Sequence, residues 1–179
     1  MTNSSRLRWA SVILGCAGLG VFALGQKPAP RVVEEIFPQK PTVQPIPFSH
    51  KVHSGLGIKC LDCHPIREPG YQAGYPKETT CMGCHASIKK DSEAIRKLEE
   101  FARSRKPVPW VKVYHVPDYV WFSHASHVQD AKIACETCHG AVAASEVIAK
   151  EASTSMHSCM QCHAKHGASN ACDSCHSSQ

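Results

Sequence analysis

The sequence predicts a small, mostly coil and α-helical protein with little β-structure, made of two related modules joined by a helix–strand insert. An internal repeat, an abundance of cysteine and histidine, and a scarcity of aromatic residues support this fold class. The 179 residues include 11 Cys and 12 His, but only 5 Phe, 3 Trp and 4 Tyr. A chain so poor in large apolar side chains usually needs disulfides, metals or cofactors to complete its core. The net charge of +5 is spread without a basic run, so nucleic-acid binding has little support.

Residues 1–25 have the pattern of a targeting segment, with two early arginines followed by a charge-free run from Trp9 to Gly25. This run predicts an N-terminal apolar helix about 26 Å long, which is marginal for crossing a bilayer. Three fates remain open: a retained membrane anchor, a signal cleaved near Gly25, or a lipid on Cys16. In each case the rest of the chain is exported. We therefore expect it on the periplasmic side of the bacterial inner membrane, or in the soluble periplasm if the signal is cleaved.

Residues 26–47 contain six prolines, which predicts an extended linker with some stiffness. An internal repeat follows. One copy reads "PFSHKVHSGLGIKCLDCH" and then "CMGCHA", and the other reads "WFSHASHVQDAKIACETCH" and then "CMQCHA". The second copy is extended by "CDSCH". The repeat predicts two modules of one design, at 48–87 and 120–179, with two and three Cys-x-x-Cys-His motifs respectively.

The sequence of the connector at 88–119 predicts a helix followed by a short strand. Asp91 or Ser92 can cap the helix, which is expected to run to about Arg105 and to stop before the next proline. Its apolar face is formed by Ile95, Leu98, Phe101 and Ala102. The β-branched and aromatic stretch from Trp110 to Val116 predicts the strand.

Five Cys-x-x-Cys-His motifs use ten of the eleven cysteines. They are Cys60, Cys63 and His64; Cys81, Cys84 and His85; Cys135, Cys138 and His139; Cys159, Cys162 and His163; and Cys172, Cys175 and His176. This is the attachment signature of c-type haem, in which two thiols form thioethers with the porphyrin and the adjacent histidine reaches the iron. Zinc sites also use Cys-x-x-Cys pairs, but they do not require a histidine after every pair. Disulfides likewise leave the five histidines unexplained. The sequence therefore predicts five covalently attached c-type haems.

Seven histidines remain as candidates for the opposite face of each iron. They are His50, His53, His115, His124, His127, His157 and His166. Two histidines on each iron leave no open coordination position, so such iron exchanges electrons but binds no substrate. Histidine in place of methionine also favours low reduction potentials.

The Phe-Ser-His-x-x-His segments ahead of the Cys-x-x-Cys-His motifs resemble the class III multihaem cytochromes c, the small periplasmic c3 and c7 electron carriers. The resemblance covers about 47–85 and 121–176 and implies a small multihaem cytochrome fold. In that family the first histidine serves the haem of the next motif, and the second histidine serves the haem after it. A further histidine ahead of the second motif serves a third haem.

The resemblance implies five ligand pairs. They are His50 with His64, His53 with His85, His124 with His139, His127 with His163, and His157 with His176. The first module has Thr79 at the position that matches His157, and it also lacks the third haem motif. His115 and His166 are left over, and we expect them to lie on the surface or to bond a haem propionate.

The resemblance implies an electron carrier rather than an enzyme, which passes electrons through closely packed haems between a membrane, quinol-linked donor and a periplasmic redox partner. Residues 107–127 are also similar to the pentahaem subunit of bacterial alternative complex III, a quinol-oxidising membrane assembly. The alternative is therefore a haem-bearing subunit of a larger respiratory complex. A multihaem redox enzyme has less support, because no motif replaces its final histidine with the lysine associated with catalytic haems in pentahaem nitrite reductases.

The intact mass of the native protein under denaturing conditions tests the haem count, because thioethers retain haem and zinc sites do not. We expect the chain mass plus five haems. The same measurement shows whether residues 1–25 are retained, removed or lipidated at Cys16. If the protein is made in a host that can attach haem and its mass still includes none, the motifs would have to be zinc sites or disulfides.

Overall fold

The computed structural model describes residues 36–176, so the predicted N-terminal helix in 1–25 and the start of the proline-rich segment lie outside the described residues. The helical elements are α1 (His50–Gly55), α2 (Cys60–Cys63), α3 (Glu78–His85), α4 (Glu93–Ser104), a π-helical turn (Ala125–Asp130), α5 (Glu136–His139), a 3-10 turn (Val142–Ala144), α6 (Met156–His166) and a second 3-10 turn (Cys172–Ser174). Within this range, β-pairing is limited to two isolated antiparallel bridges, Ile66 with Ala73 and Val120 with His176. The predicted mostly coil and helical fold class is confirmed. The module boundaries stay predictions.

Helix α4 has the predicted bounds. Ser92 is its N-cap, and Arg105 ends it in the left-handed region with φ 53°. Its predicted apolar face carries Leu98, which is only 5% exposed and packs in a small core with Ile46 and Val108. Because this core is so small among the described residues, little of the fold is held by ordinary apolar packing.

The predicted strand at 110–116 is wrong, since this stretch forms an irregular loop. The amide side chain of Gln44 hydrogen-bonds to both backbone groups of Val111. It accepts from the Val111 N–H and donates to the Val111 carbonyl, both at 3.0 Å. Tyr114 is held through its hydroxyl, which donates to the His139 carbonyl at 3.1 Å. The segment is thus held by the Gln44 side chain and by the Tyr114 hydroxyl, and between residues 36 and 176 no neighbouring strand forms a ladder with it.

The described part of the proline-rich segment has irregular backbone with bends at 37–38 and 45–46, and it is hydrogen-bonded to the C-terminal half of the chain. The N–H of Gln39 donates to the Lys150 carbonyl at 2.8 Å, and that of Thr42 donates to the Ile148 carbonyl at 3.1 Å. Ile46, only 4% exposed, then enters the small core beside α4. Between residues 36 and 176, no helix has both the length and the apolar character needed to cross a membrane.

Replacing Leu98 by Ala is expected to destabilise the holoprotein by about 2–5 kcal/mol, because it removes a buried side chain that its neighbours cannot fully replace. Thermal unfolding followed by far-ultraviolet circular dichroism measures the change. Val43→Ala is the control, since Val43 is 87% exposed and the expected change is within about 0.5 kcal/mol. Equal effects of the two substitutions would show that the small core does not stabilise the fold.

Candidate metal centres

The two Phe-Ser-His-x-x-His segments begin with a similar first turn, which continues as α-helix α1 in one and as the π-helical turn Ala125–Asp130 in the other. Ser49 caps α1 by accepting a hydrogen bond from the Val52 N–H at 3.2 Å, and Ser123 accepts one from the Ser126 N–H at 3.1 Å. In both segments the serine three residues ahead of that N–H closes the first turn, as a helix cap does. This turn places the two histidines of each segment on neighbouring positions of one helical face.

Phe48 and Phe122 orient the histidines that follow them. Each phenylalanine meets the first histidine of its segment edge-on, with ring centroids 4.9 Å apart in both cases. Each meets the second histidine in a stacked arrangement, at 4.3 Å for Phe48 and 4.6 Å for Phe122. Such edge-on and offset contacts between rings are favourable, so the phenylalanine restricts both imidazoles at once.

Four histidines from these segments each face the histidine of a Cys-x-x-Cys-His motif. The ring centroids are 6.4 Å apart for His50 and His64, 6.2 Å for His53 and His85, 6.4 Å for His124 and His139, and 6.1 Å for His127 and His163. A metal–imidazole nitrogen bond is about 2.0–2.1 Å and the ring centre lies roughly 1.1 Å behind Nε2, so two imidazoles on opposite sides of one iron have centroids roughly 6.3 Å apart. The gap between each pair therefore fits a single iron atom.

Seven of the ten predicted ligands direct their Nδ1 atom at a backbone carbonyl. The contacts are His53 to Ser49 at 2.8 Å, His64 to Gly74 at 2.8 Å, His85 to Ile88 at 3.1 Å, His124 to Tyr71 at 3.0 Å, His127 to Ser123 at 2.7 Å, His163 to Ser169 at 2.7 Å, and His176 to Tyr119 at 3.2 Å. A carbonyl only accepts, so Nδ1 carries the proton and Nε2 keeps its lone pair for a metal. Metal-bound histidines are commonly held in this way.

His50 and His139 are the most enclosed of these imidazoles. Burial lowers the pKa of His50, and the neighbouring His64 and His53 lower it further. Burial likewise lowers the pKa of His139, with further contributions from His124 and His64. Both rings therefore favour the neutral form, which is the form that binds metal. The Nδ1 atom of His50 is also the one buried side-chain polar atom in the described part of the chain that has no hydrogen-bond partner.

Each of the five Cys-x-x-Cys-His motifs lies in or at the end of a helical element (α2, α3, α5, α6 or the second 3-10 turn), so its two thiols and the following imidazole come from one short stretch of helical backbone. All ten of their cysteines are free thiols in the structure. Between residues 36 and 176, no three His, Cys, Asp or Glu side chains converge into a cluster suited to a metal ion. The described ligand sets are thus facing pairs of imidazoles beside pairs of thiols, which is the residue set that a c-type haem requires.

The fifth predicted pair differs from the other four, because no ring contact between His157 and His176 is present in the structure. His157 is exposed near the start of α6, and its ring contacts no other aromatic ring among the described residues. The ring of His176 instead stacks on Tyr119, with centroids 5.9 Å apart and planes 27° apart. His115 and His166 are exposed. Ligation of one iron by His157 and His176 stays a prediction, and so does a surface or propionate-bonded role for His115 and His166.

Several residues that hold the imidazoles were missed by the sequence analysis. Tyr114 places its ring edge-on to His139, with centroids 4.4 Å apart, and Tyr119 contacts His176 through both its ring and its carbonyl. Tyr71 and Gly74 act through their backbone carbonyls. No sequence signal marks a carbonyl acceptor, because every residue has one.

Comparisons with known proteins match both halves of the chain to cytochromes c. Residues 120–177 match the family described as cytochrome c7 and related cytochrome c, and residues 25–108 match the class III cytochrome C family. The multiheme cytochrome c subunit of menaquinone reductase from Nitratidesulfovibrio vulgaris Hildenborough is 42% identical over 108 residues, which are 59% of this chain and 49% of the relative. The chain thus spans about half the length of the curated relative that it matches.

Replacing His127 by Ala is expected to leave haem attachment intact and to convert one iron from low spin to high spin, because one axial nitrogen is lost. The intact mass should be unchanged apart from the substitution. The ferric electron paramagnetic resonance spectrum should gain a high-spin signal from about one-fifth of the iron.

His166→Ala is the matched control and should give no high-spin signal. A His127→Ala protein that stays fully low spin would contradict the assigned pair. His157→Ala decides the fifth pair, since a new high-spin signal would establish His157 as a ligand.

Proposed function

We propose that this chain, a c3/c7-like multihaem cytochrome c, relays electrons through five covalently attached haems, each held between two histidines. The observation that carries the proposal is the set of four facing imidazole pairs with centroids 6.1–6.4 Å apart. Each pair joins one histidine of a Phe-Ser-His-x-x-His segment to one histidine of a Cys-x-x-Cys-His motif. The pair of His157 and His176 would complete the set.

The residues of each centre perform separate tasks. The two cysteines of each motif would anchor the macrocycle, and the paired histidines would bind its iron through Nε2. Bound haem supplies one-electron redox chemistry, and the protein tunes it through axial ligands, burial and hydrogen bonds. Hydrogen bonds from Nδ1 to backbone carbonyls raise the basicity of the ligands and thereby favour ferric iron. With both axial positions filled, the centres transfer electrons and bind no substrate, so we propose a carrier rather than an enzyme.

The comparison favours a subunit of a quinone-linked respiratory complex over a stand-alone carrier. The relative named above is a subunit of a menaquinone reductase, and the match extends over 59% of this chain. We place the chain on the periplasmic side of the inner membrane, held there by residues 1–25 or by its partner subunits. The relative's name also gives a direction, with electrons passing to menaquinone, which is opposite to the quinol oxidation that the sequence analysis expected.

Purification of the native protein from detergent-solubilised membranes tests the setting. We expect other subunits to co-migrate with the chain, because a fixed interface survives solubilisation better than a transient encounter. A chain that purifies alone would support the tethered carrier.

The direction of transfer is tested on the same preparation. Oxidation of the pre-reduced haems by a menaquinone analogue, followed by loss of their reduced absorption bands, would support transfer to quinone. Reduction of the oxidised haems by the matching quinol would support the opposite direction. Reaction with neither compound would contradict a quinone-linked relay.

A further inference from the structure

We infer that two metal centres from different halves of the chain, those of His64 and His139, are direct neighbours. They are joined by the loop at residues 65–75 and by the contact between α1 and the turn at 142–144. Electrons crossing between the halves then pass between these two centres. Sequence order alone would instead connect the centre of His85 to that of His139. The inference rests on the proposed function and adds the place at which the two halves connect.

The loop holds one iron ligand from each half. The Gly74 carbonyl accepts the Nδ1–H of His64 at 2.8 Å, and the Tyr71 carbonyl accepts that of His124 at 3.0 Å. His124 is the histidine that faces His139 across the second centre. Two residues of one loop, Tyr71 and Gly74, therefore orient imidazoles that belong to two different centres.

The loop is closed on itself and pressed against the segment that carries His124. The N–H of Gly74 donates to the Pro65 carbonyl at 3.0 Å, and Ile66 bridges to Ala73. Gly70 accepts a hydrogen bond from the Ala125 N–H at 3.0 Å. A Cβ added at Gly70 would lie 2.5 Å from the Ala125 Cβ, and the φ of Gly70 is +86°. The approach is therefore possible only for glycine.

A second contact joins the same two centres from the other side. Helix α1, which carries His50, packs on the turn that begins three residues after His139. Ser54 in α1 donates from its hydroxyl to the Ala143 carbonyl at 2.6 Å, and the N–H of Lys51 donates to the Ser145 carbonyl at 3.0 Å. The helix that carries His50, which faces His64 in the first centre, is thus hydrogen-bonded to the turn that follows His139, the motif histidine of the other centre.

Gly70→Ala in the holoprotein tests the inference. The haem methyl resonances of the oxidised protein are read by paramagnetic nuclear magnetic resonance and assigned through the cysteine β-protons of each thioether. We expect the resonances of the haems at His64 and His139 to shift together, while those at His85, His163 and His176 stay in place. A shift confined to one of the two haems, or spread equally over all five, would overturn the inference.

Two further variants separate the contact from backbone strain. Gly57→Ala is the matched control, because Gly57 has a φ of +83° and an added Cβ there meets nothing within 4 Å. It should leave the haem at His139 unshifted. Adding Ala125→Gly to Gly70→Ala removes the atom that the new Cβ meets and should move both sets of resonances back towards their positions in the unaltered protein. A double variant that shifts both haems as far as Gly70→Ala alone does would contradict the proposed contact.

Ser54→Ala covers the case in which Gly70→Ala fails to fold. It removes the hydrogen bond to Ala143 without backbone strain, and it should shift the haems at both His64 and His139. A shift at His64 alone would count against the junction. An intact mass with fewer than five haems on the unaltered protein would instead defeat the proposed function, so the two failures are distinguishable.

Discussion

The hydrogen bond from an imidazole Nδ1–H to a backbone carbonyl is the interaction on which this structure depends. It fixes the tautomer of the ring, leaves the Nε2 lone pair available for a metal and limits rotation about the side chain. Most of the predicted ligands are held in this way. The acceptor carbonyls belong to turns and loops, so the irregular backbone that makes up much of the chain is the part that positions the centres.

This dependence is consistent with the weakness of the apolar core. Among the described residues, the buried hydrophobic side chains are Ile46, Leu98, Val108 and Ala149. A group of this size does not specify a fold of this length by itself, and covalently attached macrocycles would supply the missing apolar volume. Folding and cofactor attachment are therefore expected to be coupled, as they are in small metal-dependent domains.

The repeat shows how one local design serves two halves with different surroundings. In both halves a phenylalanine, a capping serine and two histidines produce the same turn and nearly the same ring distances. The carbonyl that receives the first histidine differs, because the Nδ1 atom of His124 reaches Tyr71 in the other half whereas that of His50 has no partner. The shared turn keeps the ligands in register, and the differing contact connects the halves.

The sequence by itself determined the mostly coil and helical fold class, the bounds of α4 and the haem attachment motifs, because these follow from periodicity, capping and short spacing along the chain. It also gave, through the family resemblance, the four histidine pairs that the structure brings together. The strand that it predicted at 110–116 is wrong, because the backbone there hydrogen-bonds to a glutamine side chain and not to a neighbouring strand. The contacts of Tyr114 and Tyr119 and the adjacency of the centres at His64 and His139 were decided by the tertiary structure. They depend on backbone carbonyls and on packing between distant segments, which no local pattern encodes.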